Sequence, residues 1–139
     1  MNAKITATAH SVPNKVMTNH DLEKFVNTTD EWIRSRTGII QRHVVSENES
    51  SSDICTNIAQ ALLKRKQISA EKIDLIVIGT VTPDHFTPST AALVQKNIGA
   101  HNSWGFDLSA ACSGFIYGLE VASNFISTGK YQYIMVIGV

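Results

Sequence analysis

Of the side chains able to act as a nucleophile, Cys112 has the most informative surroundings, the run Phe106-Asp107-Leu108-Ser109-Ala110-Ala111-Cys112-Ser113-Gly114-Phe115. An apolar run from Trp104 to Leu108 leads into small residues, after which Phe115, Leu119, Ala122, Phe125 and Ile126 recur at roughly helical spacing. The pattern predicts a strand, a turn and a helix, with Cys112 near the first turn of that helix. Unpaired N–H groups and the positive end of the helix dipole favour an anion there, which for a cysteine means the thiolate. The small flanks, Ser109 to Ala111 and Ser113-Gly114, leave room for a substrate to reach the sulfur. Position alone leaves a second reading open, that of a small buried hydrophobe. A serine hydrolase is disfavoured, because no G-x-S-x-G elbow surrounds Ser113.

The elements that must position Cys112 follow from composition and pattern. With 139 residues, 43% of them hydrophobic, the chain can bury a real core, and its length fits one domain. Twelve basic residues balance twelve acidic ones, which gives no electrostatic reason to expect nucleic acid or an anionic membrane as partner. Cys55 and Cys112 form neither a CxxC pair nor a zinc-ligand spacing, and a disulfide framework would need more cysteines. No metal site is expected. The N-terminal residues lack an apolar signal core, and no stretch approaches the roughly 18 apolar residues of a membrane span, so a soluble, cytoplasmic protein is expected.

Along the chain, Ile5 to Val12 is β-prone and Asn19 is expected to cap a short helix through Leu22, Phe25 and Val26. Thr28 or Thr29 opens a second helix, with Asp30 and Glu31 early, Arg34 and Arg36 late and Gly38 as its stop. Arg42 to Val45 is a short strand candidate, Ser46 to Ser52 an exposed loop, and Asp53 to Lys66 an amphipathic helix. Ile73 to Val81 is almost wholly apolar, the mark of a strand covered on both faces of a parallel sheet. Thr82 to Pro88 breaks the pattern, and Ser89 caps a helix that stops at Gly99. The helix carrying Cys112 at its start then runs to about Thr128, before a last apolar strand from Tyr133 to Val139. Alternating strands and helices predict a layered α/β fold.

That last strand looks central yet has no polar turn after it, which would leave an apolar edge. Gly114, Gly118 and Ala122 form a smooth stripe on the preceding helix, able to receive either a strand of the same sheet or a second backbone. Together these features lead to the expectation of a fragment.

Two blocks carry a resemblance. Asn27-Thr28-Thr29-Asp30-Glu31-Trp32-Ile33-Arg34-Ser35-Arg36-Thr37-Gly38-Ile39 and Asp107 to Phe115 resemble β-ketoacyl-(acyl-carrier-protein) synthase III, the initiating condensing enzyme of type II fatty acid synthesis. The likeness runs from Lys4 to Val139 with matching order and spacing. It implies the thiolase fold, a five-layered αβαβα sandwich of two similar halves, usually a homodimer. Residues 1–139 would be the N-terminal half, carrying the nucleophile, with the C-terminal half absent. The implied reaction is attack of the Cys112 thiolate on an acyl-CoA primer, commonly acetyl-CoA, then condensation of the acyl-enzyme with malonyl-acyl-carrier protein as CO₂ leaves. Acyl-CoA is thus a substrate, and no permanently bound cofactor is implied.

By the same resemblance, the Cys112 N–H is one oxyanion donor, while the second donor and the catalytic His and Asn lie beyond Val139. This polypeptide alone should not catalyse condensation. None of the five histidines is expected to substitute, His85 included. Thr28, Trp32 and Arg36 would line the mouth of the CoA tunnel, with Thr37 beside them. Trp32 offers a face for adenine and Arg36 a forked cation for phosphate. Without the second block, the favoured reading is Trp32 as a core aromatic and Arg36 as a solvated helix end. Phe86 and Thr87 fall where some members place an aromatic that shortens the primer channel, and Thr87 in that position would admit primers longer than acetyl. Two alternatives stay open: another thiolase-fold condensing enzyme, hydroxymethylglutaryl-CoA synthase-like or alkylquinolone-type, and a non-catalytic assembly module.

Overall fold

A strand without polar residues needs cover on both faces, and the order of elements provides it. The computed structural model describes residues 2–139. The chain runs β1 (Lys15–Thr18), α1 (Asn19–Leu22), α2 (Asp30–Thr37), β2 (Gln41–Val44), α3 (Ser51–Lys66), β3 (Leu75–Gly79), α4 (Thr90–Ile98), β4 (Trp104–Leu108), α5 (Gly114–Ser127) and β5 (Ile134–Gly138). Two compact units result, a smaller one of Val12–Glu49 and a larger one of Ser50–Val139 joined by the segment ending at Ser11.

In the larger unit, a parallel sheet has the order β4-β3-β5, with Gly79 level with Leu108 on one side and Gly138 on the other. All five residues of β3 are buried, as the apolar run predicts. Side chains alternate across the sheet. Ile76, Ile78, Met135 and Ile137 pack with Ile54, Cys55, Ile58 and Ala59 of α3 and Ala91 and Val94 of α4. On the opposite face, Val77 and Val136 meet α5 at Gly118, where an added Cβ would lie 3.5 and 2.8 Å from their methyl groups. The smooth stripe on α5 therefore receives strands of its own sheet, and the second backbone considered above is not what fills it. Strand β5, expected to be central, is an outer strand of this sheet; β3 is the central one. At the amino end of β4, Trp104 packs with Phe106, Phe125 and Tyr131 at ring-centroid separations of 5.9, 5.6 and 6.4 Å.

Helix boundaries follow their caps. The Ser89 hydroxyl accepts from the Ala92 N–H at 3.2 Å, and Gly99 closes α4 at φ +72°. Helix α3 starts at Ser51 rather than Asp53. The Ser50 N–H and hydroxyl both donate to the Asp53 carboxylate, at 3.0 and 2.8 Å, which draws the preceding residues into the first turn and buries Ser52. Residues 5–12 form no strand. Their β propensity finds no ladder partner among the described residues, and propensity without pairing does not make a strand.

In the smaller unit, β1 and β2 pair antiparallel, and of the two expected caps Thr29 opens α2, with the predicted acidic start and left-handed Gly38 stop at φ +74°. Thr18, not Asn19, caps α1; its hydroxyl accepts from the Asp21 N–H at 3.2 Å. Asn19 is buried instead. Its amide donates to Asp30 and to the Ile39 carbonyl, both at 2.8 Å, and its oxygen accepts from Arg42 at 2.6 Å. The Asn19 amide is the main reason the Asp30 carboxyl sits below its ordinary range. Helix α1 stops at Leu22, leaving Phe25 and Val26 exposed. Among the described residues no helix is long and apolar enough to cross a membrane.

Candidate active site

Strands β3 and β4 are parallel neighbours whose exits diverge. Strand β3 leaves through 80–88 to α4 on one face, and β4 leaves through 109–113 to α5 on the other. Such a switch in direction opens a crevice at the carboxyl ends of the two strands, the usual ligand site of open α/β sheets. The Thr80 N–H donates to the Leu108 carbonyl at 3.2 Å, which fixes the two exits side by side.

Cys112 lies in one of them. It is exposed, within a short 3-10 turn (Ala111–Ser113) that feeds directly into α5. The preceding Ala111 is left-handed at φ +46°, a conformation that costs a non-glycine residue of the order of 1–3 kcal/mol and tends to occur where function requires it. No side chain caps α5, so the Ser113 hydroxyl does not occupy the helix start. The start is seated by glycines: a Cβ on Gly79 would lie 2.8 Å from the Gly114 carbonyl carbon and 3.0 Å from the Phe115 nitrogen. No periodicity in the chain signals the Ala111 conformation or the Gly79–Gly114 contact.

The other cysteine is of the opposite kind. Cys55 has no exposed surface, and its thiol is pushed up to about 12, mainly by burial and secondarily by the Asp107 and Asp84 charges. The unfolded chain would lose that proton near the ordinary value of 9.0, while the native protein holds it to about 12. Between those values the unfolded state binds fewer protons, so stability is expected to fall with rising pH, by at most about 1.4 kcal/mol per unit. Urea unfolding of wild type and Cys55→Ala at pH 8 and 10 checks this: the difference between the two proteins should narrow at the higher pH.

The second exit carries Phe86 and Thr87, both exposed, with Thr87 preceding cis Pro88. His85 is exposed beside them. The loop is tied at both ends. The Ser51 hydroxyl donates to the Thr82 carbonyl at 2.7 Å, and the Ser52 N–H to Asp84 at 3.0 Å. Beyond Pro88, the N–H groups of Thr90 and Ala91 donate to the two oxygens of Asp107 at 2.7 and 2.8 Å. Partial burial pushes the Asp84 carboxyl upward, but the hydrogen bonds from Ser52 and Ser50 outweigh it and hold the group below its ordinary range. Neither Asp84 nor Asp107 stands out as an anchor in the sequence, since each acts on a helix start distant along the chain.

Thr28, Trp32, Arg36 and Thr37 all belong to the smaller unit, where Thr28 and Trp32 line one depression and Arg36 lies beside Trp32. Leu22, Val26, Asn27, Thr28, Thr29, Trp32 and Ile33 line an open depression of about 510 Å³. Trp32 is more than half exposed, which removes the core-aromatic reading, and the Arg36 guanidinium lies 5.9 Å from its ring centroid. The Thr28 hydroxyl oxygen is buried with no hydrogen-bond partner among the described residues. Thr37 is engaged already: its hydroxyl donates to the Ile33 carbonyl at 2.7 Å and accepts from the Ile39 N–H at 3.1 Å.

Residues 106–139, from the strand before Cys112 to the end of the chain, match the family model of 3-oxoacyl-(acyl-carrier-protein) synthase III. The β-ketoacyl-(acyl-carrier-protein) synthase III of Streptococcus pneumoniae is 52% identical over 136 residues, 98% of this chain and 42% of its own length. Over nearly its whole length, this chain is similar to part of a synthase III. It spans about 42% of the length of that relative. Its fold is thiolase-like, matching the crystal structure of the 3-oxoacyl-(acyl-carrier-protein) synthase III of Aquifex aeolicus with a TM-score of 0.91 at 46% identity, over 94% of this chain and 42% of that one. The priming β-ketosynthase of the R1128 polyketide pathway matches with a TM-score of 0.88 at 30% identity, over 92% of this chain and 38% of that one.

Proposed function

We propose that this chain contributes the nucleophile-bearing part of an acyltransferase that condenses an acyl-CoA primer with malonyl-acyl-carrier protein. One observation carries the reading: an exposed cysteine at the start of a helix, on a left-handed turn, at the carboxyl ends of two diverging parallel strands. The Cys112 thiolate attacks the thioester carbonyl, the bond from that carbonyl to the CoA sulfur breaks, and CoA departs with the proton that Cys112 gave up. The Cys112 N–H is one donor to the oxyanion formed on the way. Loss of CO₂ from the malonyl thioester leaves a carbanion that attacks the acyl-cysteine carbonyl, forming the carbon–carbon bond and releasing Cys112 as thiolate.

CoA lies against the smaller unit, its adenine on Trp32, its phosphates near Arg36, and its polar groups within reach of the unpartnered Thr28 hydroxyl. Thr37 adds contact without its hydroxyl. Condensation belongs to a protein of the relatives' length, working as a cytoplasmic homodimer. Incubating that full-length protein with acetyl-CoA should add one acetyl mass on the peptide containing Cys112 and protect it from iodoacetamide. No added mass, and labelling no faster than free cysteine, would overturn the reading. The likeness to the R1128 priming enzyme supports a second reading, priming of a different condensation, which identification of the acyl-carrier product separates from the first.

A further inference from the structure

We infer that Asn19, supported by Glu23, is a positioning residue that holds Trp32 and Arg36 in place on α2 and so sets the affinity for the nucleotide end of CoA; the inference rests on the reading of those two residues as CoA contacts. Helix α2 has only eight residues, and Ile33 alone among them is buried. A helix that short is marginal on its own hydrogen bonds, so the contacts at its ends decide where it sits. Asn19 supplies them at both ends. Its amide nitrogen donates to the Asp30 carboxylate in the first turn and to the Ile39 carbonyl just past the Gly38 stop, both at 2.8 Å. Its oxygen accepts from Arg42 at 2.6 Å, which ties the helix to β2. Asn19 has no exposed surface, so water cannot replace a partner it loses. Only an amide meets all three demands: a carboxylate of the same shape would present lone pairs to Asp30 and to the carbonyl, with no proton for either. Glu23 adds a second tie, its carboxylate accepting from the Asp30 N–H at 2.8 Å, which closes the loop that carries Thr28. Trp32 and Arg36 stand one turn apart on this helix, both exposed, so where α2 is held decides where they are. Every residue in this network belongs to the smaller unit.

The test follows acyl-enzyme formation by intact mass in the full-length protein, with acetyl-CoA and with acetyl-pantetheine, which has the same thioester and arm but no nucleotide. Asn19→Asp should raise the KM for acetyl-CoA about tenfold, the effect of leaving buried groups unpaired, while its maximal rate and its reaction with acetyl-pantetheine stay within about twofold of wild type. A loosened fold would slow both donors alike. Equal slowing, or an unchanged KM for acetyl-CoA, would overturn the assignment. Should Asn19→Asp not fold, Glu23→Ala decides in its place: a KM for acetyl-CoA raised about threefold, and restored in Glu23→Gln, which keeps the accepting oxygen, supports the assignment, and an unchanged KM overturns it. Trp32→Ala and Arg36→Ala tell the two readings apart. If neither separates acetyl-CoA from acetyl-pantetheine, CoA is not held on this helix, and the reading beneath the inference falls with it; if they do and the Asn19 and Glu23 variants do not, only the inference falls.

Discussion

Gly79→Ala is expected to lower the stability of the larger unit by about 3 kcal/mol, at the upper end of ordinary overpacking, and to slow acylation of Cys112 with it. The clash is of backbone against backbone: the new methyl would meet the Gly114 carbonyl carbon at 2.8 Å and its oxygen at 3.1 Å. A flexible side chain could swing aside, but the first turn of α5 can only move bodily, and Cys112 moves with it. Gly118→Ala is the instructive contrast, since its nearest neighbour is a valine methyl at 2.8 Å, and a rotation of that side chain relieves part of the contact. Gly38→Ala has nothing within 4 Å and a φ of +74°, so it should cost only the left-handed backbone penalty, about 1 kcal/mol. Urea unfolding followed by circular dichroism ranks the three. A Gly79→Ala protein as stable as wild type would show that the two backbones do not touch.

Cys112→Ala is expected to abolish acyl-enzyme formation outright, because no other exposed thiol exists among the described residues and Cys55 is sealed in the core. Ser113→Ala should change the rate by no more than about threefold, since its hydroxyl neither caps the helix nor belongs to a hydrolase elbow. Cys112→Ser is the sharper probe. A hydroxyl at the same place lacks the ionisation that makes the thiolate a nucleophile, so geometry without sulfur should give almost nothing. Intact-mass measurement on the three full-length variants with acetyl-CoA decides it. Acylation surviving in Cys112→Ala would move the nucleophile elsewhere.

How legible these features were depends on how local they are. The caps at Thr29 and Ser89 and the stops at Gly38 and Gly99 are written within one helical turn, and α2 and α4 have the bounds their residues predict. The burial of β3 needs only a run of apolar residues. Pairing is not local, and there the reading failed: residues 5–12 have strand chemistry but no partner here, and β5 has central-strand chemistry at an outer place. The stripe of Gly114, Gly118 and Ala122 was visible, but only register shows that Gly79, Val77 and Val136 fill it. Cys112 stood out because its strand, turn and helix are contiguous. The anchors Asp84 and Asp107 were hidden because their partners lie 32 and 16–17 residues away.

The two compact units each contain one of the chain's two tryptophans, Trp32 in the smaller and Trp104 in the larger. Their surroundings differ, one indole open to solvent beside a guanidinium and the other inside an aromatic cluster. Fluorescence is therefore a two-channel reporter: with Trp104→Phe the remaining emission follows the α2 region, and with Trp32→Phe it follows loosening of the parallel sheet.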